Sequence, residues 1–414
     1  MRRPPILWKP AVPAGLSTVS LSIAAPAIVA LSTILLAVAV STLPAFADER
    51  VPEAVQAGAE TTVGSAAREA LNEPLFSVVD KTRLAASGNP HDYFSFAPYW
   101  WPDPESEDGL PYLRRDGHYN PATRGDATDK QRMIDFIDTV NALTQAYVTT
   151  RDERYASRAV VQLRHWFLNP DTRMAPNLRY AQAIPGRVDG RGIGIIESRL
   201  LIGLTRSIEQ LEKASAMDSK TLAGLQRWYA DYLQWMLSSD NGHDEQAKAN
   251  NHGTWYDAQV VTFARFTDQP AIAGRQLDHA LDRLDAQFRV DGSQPLELER
   301  TRPWHYANFN LEAWSILLDQ AAAMDVDWPR GEARDKLATA YGWIVDHAAR
   351  PDDWPFKELH GFHPEQAATN LIVARRHGLI AGRPVDALIA RWTPIDDATT
   401  AAIFDLPPFD AGTG

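Results

Sequence analysis

The sequence predicts an all-α chain whose helices pair antiparallel and close, or nearly close, into an α/α toroid. Three observations point there. Apolar residues recur at three-and-four spacing through most of the chain, no run of alternating strand residues bounded by hairpin signals interrupts them, and no fixed-period repeat marks a regular solenoid. Helices of such length joined by short loops pack as antiparallel pairs, and many pairs in one domain leave a toroid as the better solution.

In chain order, Arg2, Arg3 and Lys9 precede an apolar run from about Leu16 to Val40, followed by Pro44-Ala45-Phe46-Ala47 and Asp48. A basic start, an apolar core and a small-x-small site make a secretory leader over residues 1–47, with 48–414 as a single domain. The run is longer than most leader cores, so an uncleaved membrane anchor is the other reading. The Ala-Phe-Ala site and the lack of a basic stop favour cleavage, leaving no stable membrane association.

Asn89–Asp126 departs from helicity and is rich in Pro, Gly, Asp and aromatics; a long loop of that kind inside a domain tends to be functional. Met133, Ile134, Ile137, Val140, Leu143 and Tyr147 then mark a helix, which Asp152 punctuates. A second pattern covers Ile195–Ala214. Leu222, Leu225, Trp228, Tyr232, Leu233 and Met236 mark a third, with Asp218 or Ser219 placed to cap it, and Gly242 falls at a loop or helix end. A helix follows from Thr254, then others over Ala273–Gln287, Asn310–Met324, Glu332–Ala348 and Pro364–His377, with breaks at Asp291-Gly292 and Gly378. The start of the Asn310 helix falls around Ala307–Asn310, and the tail after Trp392 is irregular.

The 414-residue chain has no cysteine and a formal net charge of −12. Disulfides, a thiol nucleophile and a cysteine zinc site are therefore excluded. Loss of Arg2, Arg3 and Lys9 with the leader makes the remainder more acidic still, which disfavours nucleic acid as a partner. A polyanionic sugar would also be repelled at long range, so a site for one must be lined locally by Arg, Lys and His. An exported, cysteine-free chain fits a bacterial periplasm or secretion.

Four stretches could carry chemistry. Asp92 to Pro104 contains Tyr99, Trp100 and Trp101, either rings for stacking on sugar faces or a packed plug. Asn177, Arg179, Tyr180 and Gln182, followed by Arg191 in a glycine-rich run, offer donors for hydroxyls and carboxylates, or else surface ion pairs. Asn250-Asn251-His252-Gly253-Thr254-Trp255 sits at a helix N-terminus, where anions are favoured; the alternative is an ordinary cap beside a polar core residue. Arg300, Arg302, His305 and Tyr306 place cations beside a phenol, the condition under which a tyrosine can serve as acid or base, or they form a surface pair at a helix start.

β-Elimination at a uronic acid joins these pieces. The C5 proton becomes acidic only when the adjacent carboxylate is neutralised, for which Asn, His and Arg are suited. A base then takes that proton and an acid protonates the leaving O4. In mannuronate and glucuronate both events lie on one face of the ring, so one tyrosine can do both. No metal or other cofactor is required, and no His-Glu-x-x-His spacing is present.

Asp92-Tyr93, Pro98-Tyr99-Trp100-Trp101-Pro102-Asp103-Pro104, Gly109-Leu110-Pro111-Tyr112 and Arg115-Asp116-Gly117 resemble the alginate-lyase-type domain of bacterial polysaccharide lyases. Pro176 to Gln182, Asn250 to Trp255 and Arg300 to Tyr306 match in the same order, so the resemblance spans about Pro74 to Gly378. It implies an α/α toroid and lytic β-elimination of an acidic polysaccharide. It also implies that Asn251, His252 and an arginine neutralise the carboxylate while Tyr306 acts as base and acid. Tyr99, Trp100, Trp101, Asn177, Arg179, Tyr180, Gln182, Arg191, Trp255, Arg302 and His305 become expected substrate contacts. Arg300 stands one position nearer the tyrosine than the arginine of alginate lyases, whose position holds Glu299. That spacing resembles a branch containing both alginate and glucuronan lyases, and leaves Arg300 or Arg302 as the arginine. The rival classes are a glycoside hydrolase on the same kind of toroid, drawing its two carboxylates from Glu197, Glu245, Asp257 or Glu299, and a non-catalytic sugar-binding protein.

Overall fold

Helix α1 (Ser65–Ala70) opens the fold in a computed structural model that describes residues 65–392 apart from residue 384; the expected leader and the tail beyond Trp392 lie outside the described residues. Strands β1 (Phe94–Phe96), β2 (Trp100–Trp101) and β3 (Leu113–Arg114) follow, then α2 (Lys130–Thr150), α3 (Glu153–Phe167) and β4 (Tyr180–Ala183). The rest is helical: α4 (Leu200–Leu211), α5 (Ser219–Ser238), α6 (Asp240–Gln246), α7 (Asn251–Phe266), α8 (Pro270–Leu281), α9 (Leu284–Gln287), α10 (Pro295–Leu298), α11 (Pro303–Ala323), α12 (Gly331–Ala349), α13 (Ala368–Arg376) and α14 (Asp386–Trp392). The chain is an α/α toroid. Among the described residues no helix is long and apolar enough to cross a membrane.

Helices α2, α4, α7, α11 and α13 follow one another as an inner layer, with α3 packed on α2, α5 and α8 on α7, and α12 on α13. Burial matches that order. Every residue of α7 except His252 and Arg265 is buried, as expected of a helix covered on all sides. Helix α3 instead buries one stripe, Tyr155, Ala156, Ala159, Val160, Leu163, Trp166 and Phe167, capped at its start by Asp152 accepting from the Arg154 N–H. Large rings seal the layers: Phe136 stacks on Trp166 with centroids 4.5 Å apart, and Phe167 meets Trp228 at 4.5 Å.

A helix without a solvent face must find protein partners for its polar groups. Between α7 and α11 they form one network. Thr254 donates to Asn310 at 2.7 Å, Gln287 donates to Thr254 at 2.7 Å, and Asn310 donates to Gln287 at 3.1 Å and Gln294 at 2.9 Å. Asp257, fully buried, accepts from Arg283 Nε at 2.5 Å and from Gln276 at 2.6 Å. The same guanidinium donates to the carbonyls of Lys248 at 2.7 Å and Gln246 at 2.6 Å, which fastens the turn leading into α7.

Helix α3 has no counterpart in the sequence expectation, which places only the break at Asp152 there; the expected helices differ mostly at their ends. Ile195–Ala214 is a 3-10 turn, Gly192–Arg199, running into α4, and Ala273–Gln287 breaks into α8 and α9. Pro364–His377 likewise begins as a 3-10 turn before α13. Gly242 lies inside α6 rather than at a break: a Cβ there would stand 1.7 Å from the Met236 carbonyl, so glycine lets α6 fold back on the end of α5. Helix α11 begins at Pro303, earlier than Ala307, because proline at the first helical position forfeits no hydrogen bond. Tyr306 is thereby placed in the first turn.

Strands β1 and β4 pair in parallel, and β2 and β3 pair antiparallel with Trp100 opposite Arg114 and Trp101 opposite Leu113. Asn120 donates to the Trp100 carbonyl at 2.8 Å, and the Asn120 N–H reaches the Pro98 carbonyl at 2.7 Å, closing the loop on itself.

Replacing Arg283 by Ala strands the buried Asp257 charge and frees the Gln246 and Lys248 carbonyls. Urea unfolding of Arg283→Ala should show a loss of about 3–5 kcal/mol; a loss under about 1 kcal/mol would contradict the role given to this pair.

Candidate active site

The first turn of α7 is held from outside by carboxylates. Asn250, at the N-cap, makes no side-chain capping bond, so the ordinary-cap reading of this motif does not hold. Instead the Asn251 N–H donates to Glu297 Oε1 at 2.7 Å and its Nδ2 donates to Oε2 at 2.6 Å. Glu297 sits on α10, 1% exposed, and its carboxyl is raised by burial, with the two Asn251 bonds, Arg300 and His252 acting the other way. His252 Nδ1 lies 2.7 Å from Glu245 Oε1. A carboxylate can only accept, so Nδ1 carries the hydrogen and Nε2 is left for a ligand. Gly253 follows because a Cβ there would lie 2.1 Å from the Lys248 carbonyl.

The first turn of α11 carries the phenol. Tyr306 Oη is 2.9 Å from Tyr99 Oη and accepts from Arg300 Nη2 at 2.9 Å, and the Arg300 guanidinium carbon lies 3.8 Å from the Tyr306 ring centroid. Arg300 is itself positioned by Asp116, to which Nη2 donates at 3.0 Å. The phenol is pushed well above its ordinary range by burial and then by Tyr99, with Arg300 opposing. Burial works against the Arg300 charge, but Tyr306 and Asp116 outweigh it and raise its pKa. Two chain segments distant in sequence thus meet on one hydroxyl.

Glu297 joins the two turns: it bonds Asn251 and lies within the electrostatic reach of both His252 and Arg300. The four residues expected to react are therefore gathered at adjoining helix starts, α7 against α11. Arg302 occupies the N-cap of α11, half-buried, and between the two candidates it is Arg300 that touches Tyr306. His305 stacks on Phe309, centroids 5.8 Å apart, and its imidazole is driven down to about 3 by burial and by Arg302, Arg199, Arg300 and His360.

The aromatic loop is divided between its two readings. Tyr93 and Phe94 are buried, whereas Tyr99, Trp100 and Trp101 are half-buried. Arg187 lies over Trp100 at 5.2 Å and Arg115 over Trp101 at 5.6 Å. On the neighbouring edge, Gln182 has φ 52° and accepts from Arg191 Nη2 at 2.6 Å; burial lowers the Arg191 pKa to about 10. Glycine at position 194 allows this edge to close, since a Cβ would stand 2.6 Å from that of Ala181. Asn177 is half-buried, accepting from the Arg179 N–H at 3.1 Å and donating to Asp92 at 3.4 Å; Arg179 is exposed, and Tyr180 packs on the Ala85, Phe94 and Ala183 cluster.

Trp255 departs from expectation. It is 2% exposed, with Phe309 at 4.9 Å and Arg199 at 5.8 Å from its ring, so it packs behind the site and offers no face to a sugar. Glu297 and Arg199 were not singled out in the sequence, and Asp116 stood there only within the Arg115-Asp116-Gly117 motif, with no role given to it. No spacing signal links Glu297 to Asn251 or Asp116 to Arg300, whereas Glu245, seven residues before His252, stood within reach of a local reading. As hydrolytic carboxylates the four candidates fare poorly. Glu197 is buried and bonded to Tyr93, Ser95 and Lys130, Glu245 is buried against His252, Asp257 is buried against Arg283, and Glu299 is exposed. Among the described residues no three His, Asp or Glu side chains stand together as metal ligands.

A family model described as alginate lyase matches residues 77–354. The crystal structure of an alginate lyase from Bacteroides ovatus superposes with a TM-score of 0.75 at 32% identity, covering 83% of this chain and 93% of its own. A histidine-to-alanine variant of alginate lyase A1-III complexed with tetrasaccharide shares the fold at 15% identity and a TM-score of 0.52, covering 86% of this chain and 94% of its own. No curated protein matches.

A histidine kept neutral by its surroundings links stability to pH in a definite sense. The unfolded chain protonates His305 below its ordinary value of 6.5, while the folded chain waits until about 3. Stability from this residue is complete above 6.5 and drains as pH falls toward 3. Thermal melts of wild type and His305→Phe should therefore converge or cross on acidification, wild type losing about 1–3 kcal/mol more than the variant. Parallel pH dependence in the two proteins would contradict the assignment.

Proposed function

The chain belongs to the alginate lyase family, is a polysaccharide lyase, and we propose that it cleaves alginate, preferentially mannuronate-rich stretches, or glucuronan. The observation that carries the proposal is the Tyr306 hydroxyl, held at 2.9 Å from both the Arg300 guanidinium and the Tyr99 hydroxyl at the start of a buried helix.

In the proposed reaction Asn251, His252 and Arg300 bind the uronate carboxylate. Their hydrogen bonds strengthen as its negative charge grows during C5 deprotonation. Tyr306 acts from its phenolate, whose cost Arg300 lowers and whose oxygen Tyr99 also reaches. The phenolate takes the C5 proton, the C5–H electron pair forms the C4=C5 double bond, and the C4–O4 bond breaks. Tyr306 returns that proton to the leaving O4, which restores the phenolate and consumes no water. One hydroxyl can do both only when H5 and O4 lie on the same face, the geometry of mannuronate and glucuronate. Tyr99, Trp100, Trp101, Asn177, Gln182 and Arg191 are proposed to line the path of the polymer, with Arg302 supplying further positive charge. The Arg300-to-Tyr306 spacing supports a substrate range that includes glucuronan. The basic and apolar start of the chain supports export to the periplasm or medium, for which an N-terminus at Asp48 in secreted protein is the check.

Incubation with polymannuronate, polyguluronate and glucuronan should produce ultraviolet absorbance from the conjugated C4=C5 product on polymannuronate or glucuronan. Reducing ends without absorbance would mean hydrolysis, and binding without product a carrier. Tyr306→Phe should lower turnover by about 10²–10⁴-fold while oligosaccharide binding persists; near-normal turnover would remove the tyrosine from the mechanism. Because the phenol lies above its ordinary range, the phenolate fraction grows with pH. Wild-type kcat should thus climb from about pH 7 to about pH 9, and a flat or falling profile would contradict a phenolate base.

A further inference from the structure

The carboxylate of Glu297 is enclosed, 1% exposed, and spends both oxygens on one residue, accepting the Asn251 N–H at 2.7 Å and Asn251 Nδ2 at 2.6 Å. Two features make this more than an internal bond. Asn250, at the N-cap of α7, supplies no side-chain capping bond, so the side-chain acceptor at the electropositive end of α7 comes from a different element, α10. That element ends two residues before Arg300, and the Arg300 N–H in turn donates to the Glu297 carbonyl at 3.2 Å. One residue therefore ties the backbone of Asn251 to the backbone of Arg300.

We infer that Glu297 is the positioning residue of the carboxylate clamp: it fixes which way the Asn251 amide faces and sets the distance between the Asn251-His252 and Arg300-Tyr306 halves of the site. This rests on the reading of Asn251 as part of the clamp. A planar amide can present either its carbonyl or its NH₂ to a ligand, and the two ends have opposite effects on a carboxylate. An acceptor-only carboxylate on Nδ2 permits one orientation. One amide hydrogen goes to Glu297, and the second, on the same nitrogen, remains for the substrate. The carbonyl, which would repel a uronate, cannot take that place without setting an acceptor against an acceptor. The same grip leaves Asn251 no freedom to relax as charge develops, the condition under which a hydrogen-bond donor favours the transition state over the ground state.

Glu297→Gln tests this with almost no change of shape. Its single acceptor cannot satisfy both Asn251 donors, so the Asn251 amide loses its fixed orientation. With alginate as substrate we expect kcat to fall about tenfold or more with KM changed less than about threefold, since the interaction tightens in the transition state. In an Asn251→Ala background the same substitution should have no further effect, because the group it positions is gone. Glu297→Asp retains the charge but is one methylene shorter; it should give an intermediate kcat, and it supplies the measurement if the glutamine variant does not fold. Wild-type kcat in Glu297→Gln or Glu297→Asp, or losses that multiply independently with Asn251→Ala, would overturn the inference. A fall in melting temperature without a fall in kcat would do the same, reducing Glu297 to a structural group. Normal turnover in Asn251→Ala alone would instead overturn the clamp assignment itself, a result separable from failure of the positioning role.

Discussion

Helix α7 has almost no contact with water, and much of the architecture follows from that constraint. Its side chains need partners on every side, which brings α5, α8 and α11 around it. Its N-terminus, with unpaired N–H groups, also needs an acceptor that solvent does not readily supply. Glu297 provides it, while Glu245 orients the neighbouring imidazole. The candidate site residues Asn251 and His252 lie at the one end of the helix where the surrounding protein must already be polar. His252 is one of only two α7 residues left partly open. The site is in this sense where a fully wrapped helix leaves an opening.

The charge arrangement resolves an apparent contradiction between an acidic chain, formally −12, and an anionic substrate. Several acidic side chains near the site are already engaged: Glu197 by Tyr93, Ser95 and Lys130, Glu297 by Asn251, and Asp116 by Arg300. Cations, by contrast, act together there. His305 is held neutral first by burial and then by Arg302, Arg199 and Arg300, three cations that converge on the start of α11. A bulk count of charges therefore says little about what a ligand meets locally.

Much of the fold was legible in the sequence because amphipathic periodicity is a local signal. The Met133–Tyr147 pattern, the α5 stripe and the Glu332–Ala348 helix all lie where their spacing puts them. Helix α11 was harder, since it is buried nearly all round, polar residues such as Asn308, Asn310 and Asp319 included, and its beginning is marked only by Pro303. The aromatic loop could not be assigned whole to core or cleft, because it is both: Tyr93 is enclosed and Tyr99 reaches Tyr306. Trp255 shows the opposite hazard, a motif neighbour of His252 whose helical position turns it into the core. The contacts of Glu297 with Asn251 and of Asp116 with Arg300 were beyond reading, since those partners are remote in sequence and a single chain carries no distances.

The short ladder between β2 and β3 has a consequence of its own. Tyr99 precedes β2 and Asp116 follows β3, and the Arg115 N–H closes onto the Tyr99 carbonyl at 2.8 Å. From that one pairing, Tyr99 is set against Tyr306 and Asp116 against Arg300. The register of two tryptophans with Leu113 and Arg114 is therefore a dimension of the site, as definite as a bond length. A slip by one residue would turn the strand over and move both contacts together. The tip is tied down as well, with the Tyr112 N–H on the Pro185 carbonyl and Arg187 on the Tyr112 carbonyl, and the rungs act as a gauge block between loop and helix whose spacing cannot drift without moving Tyr99 off the Tyr306 hydroxyl.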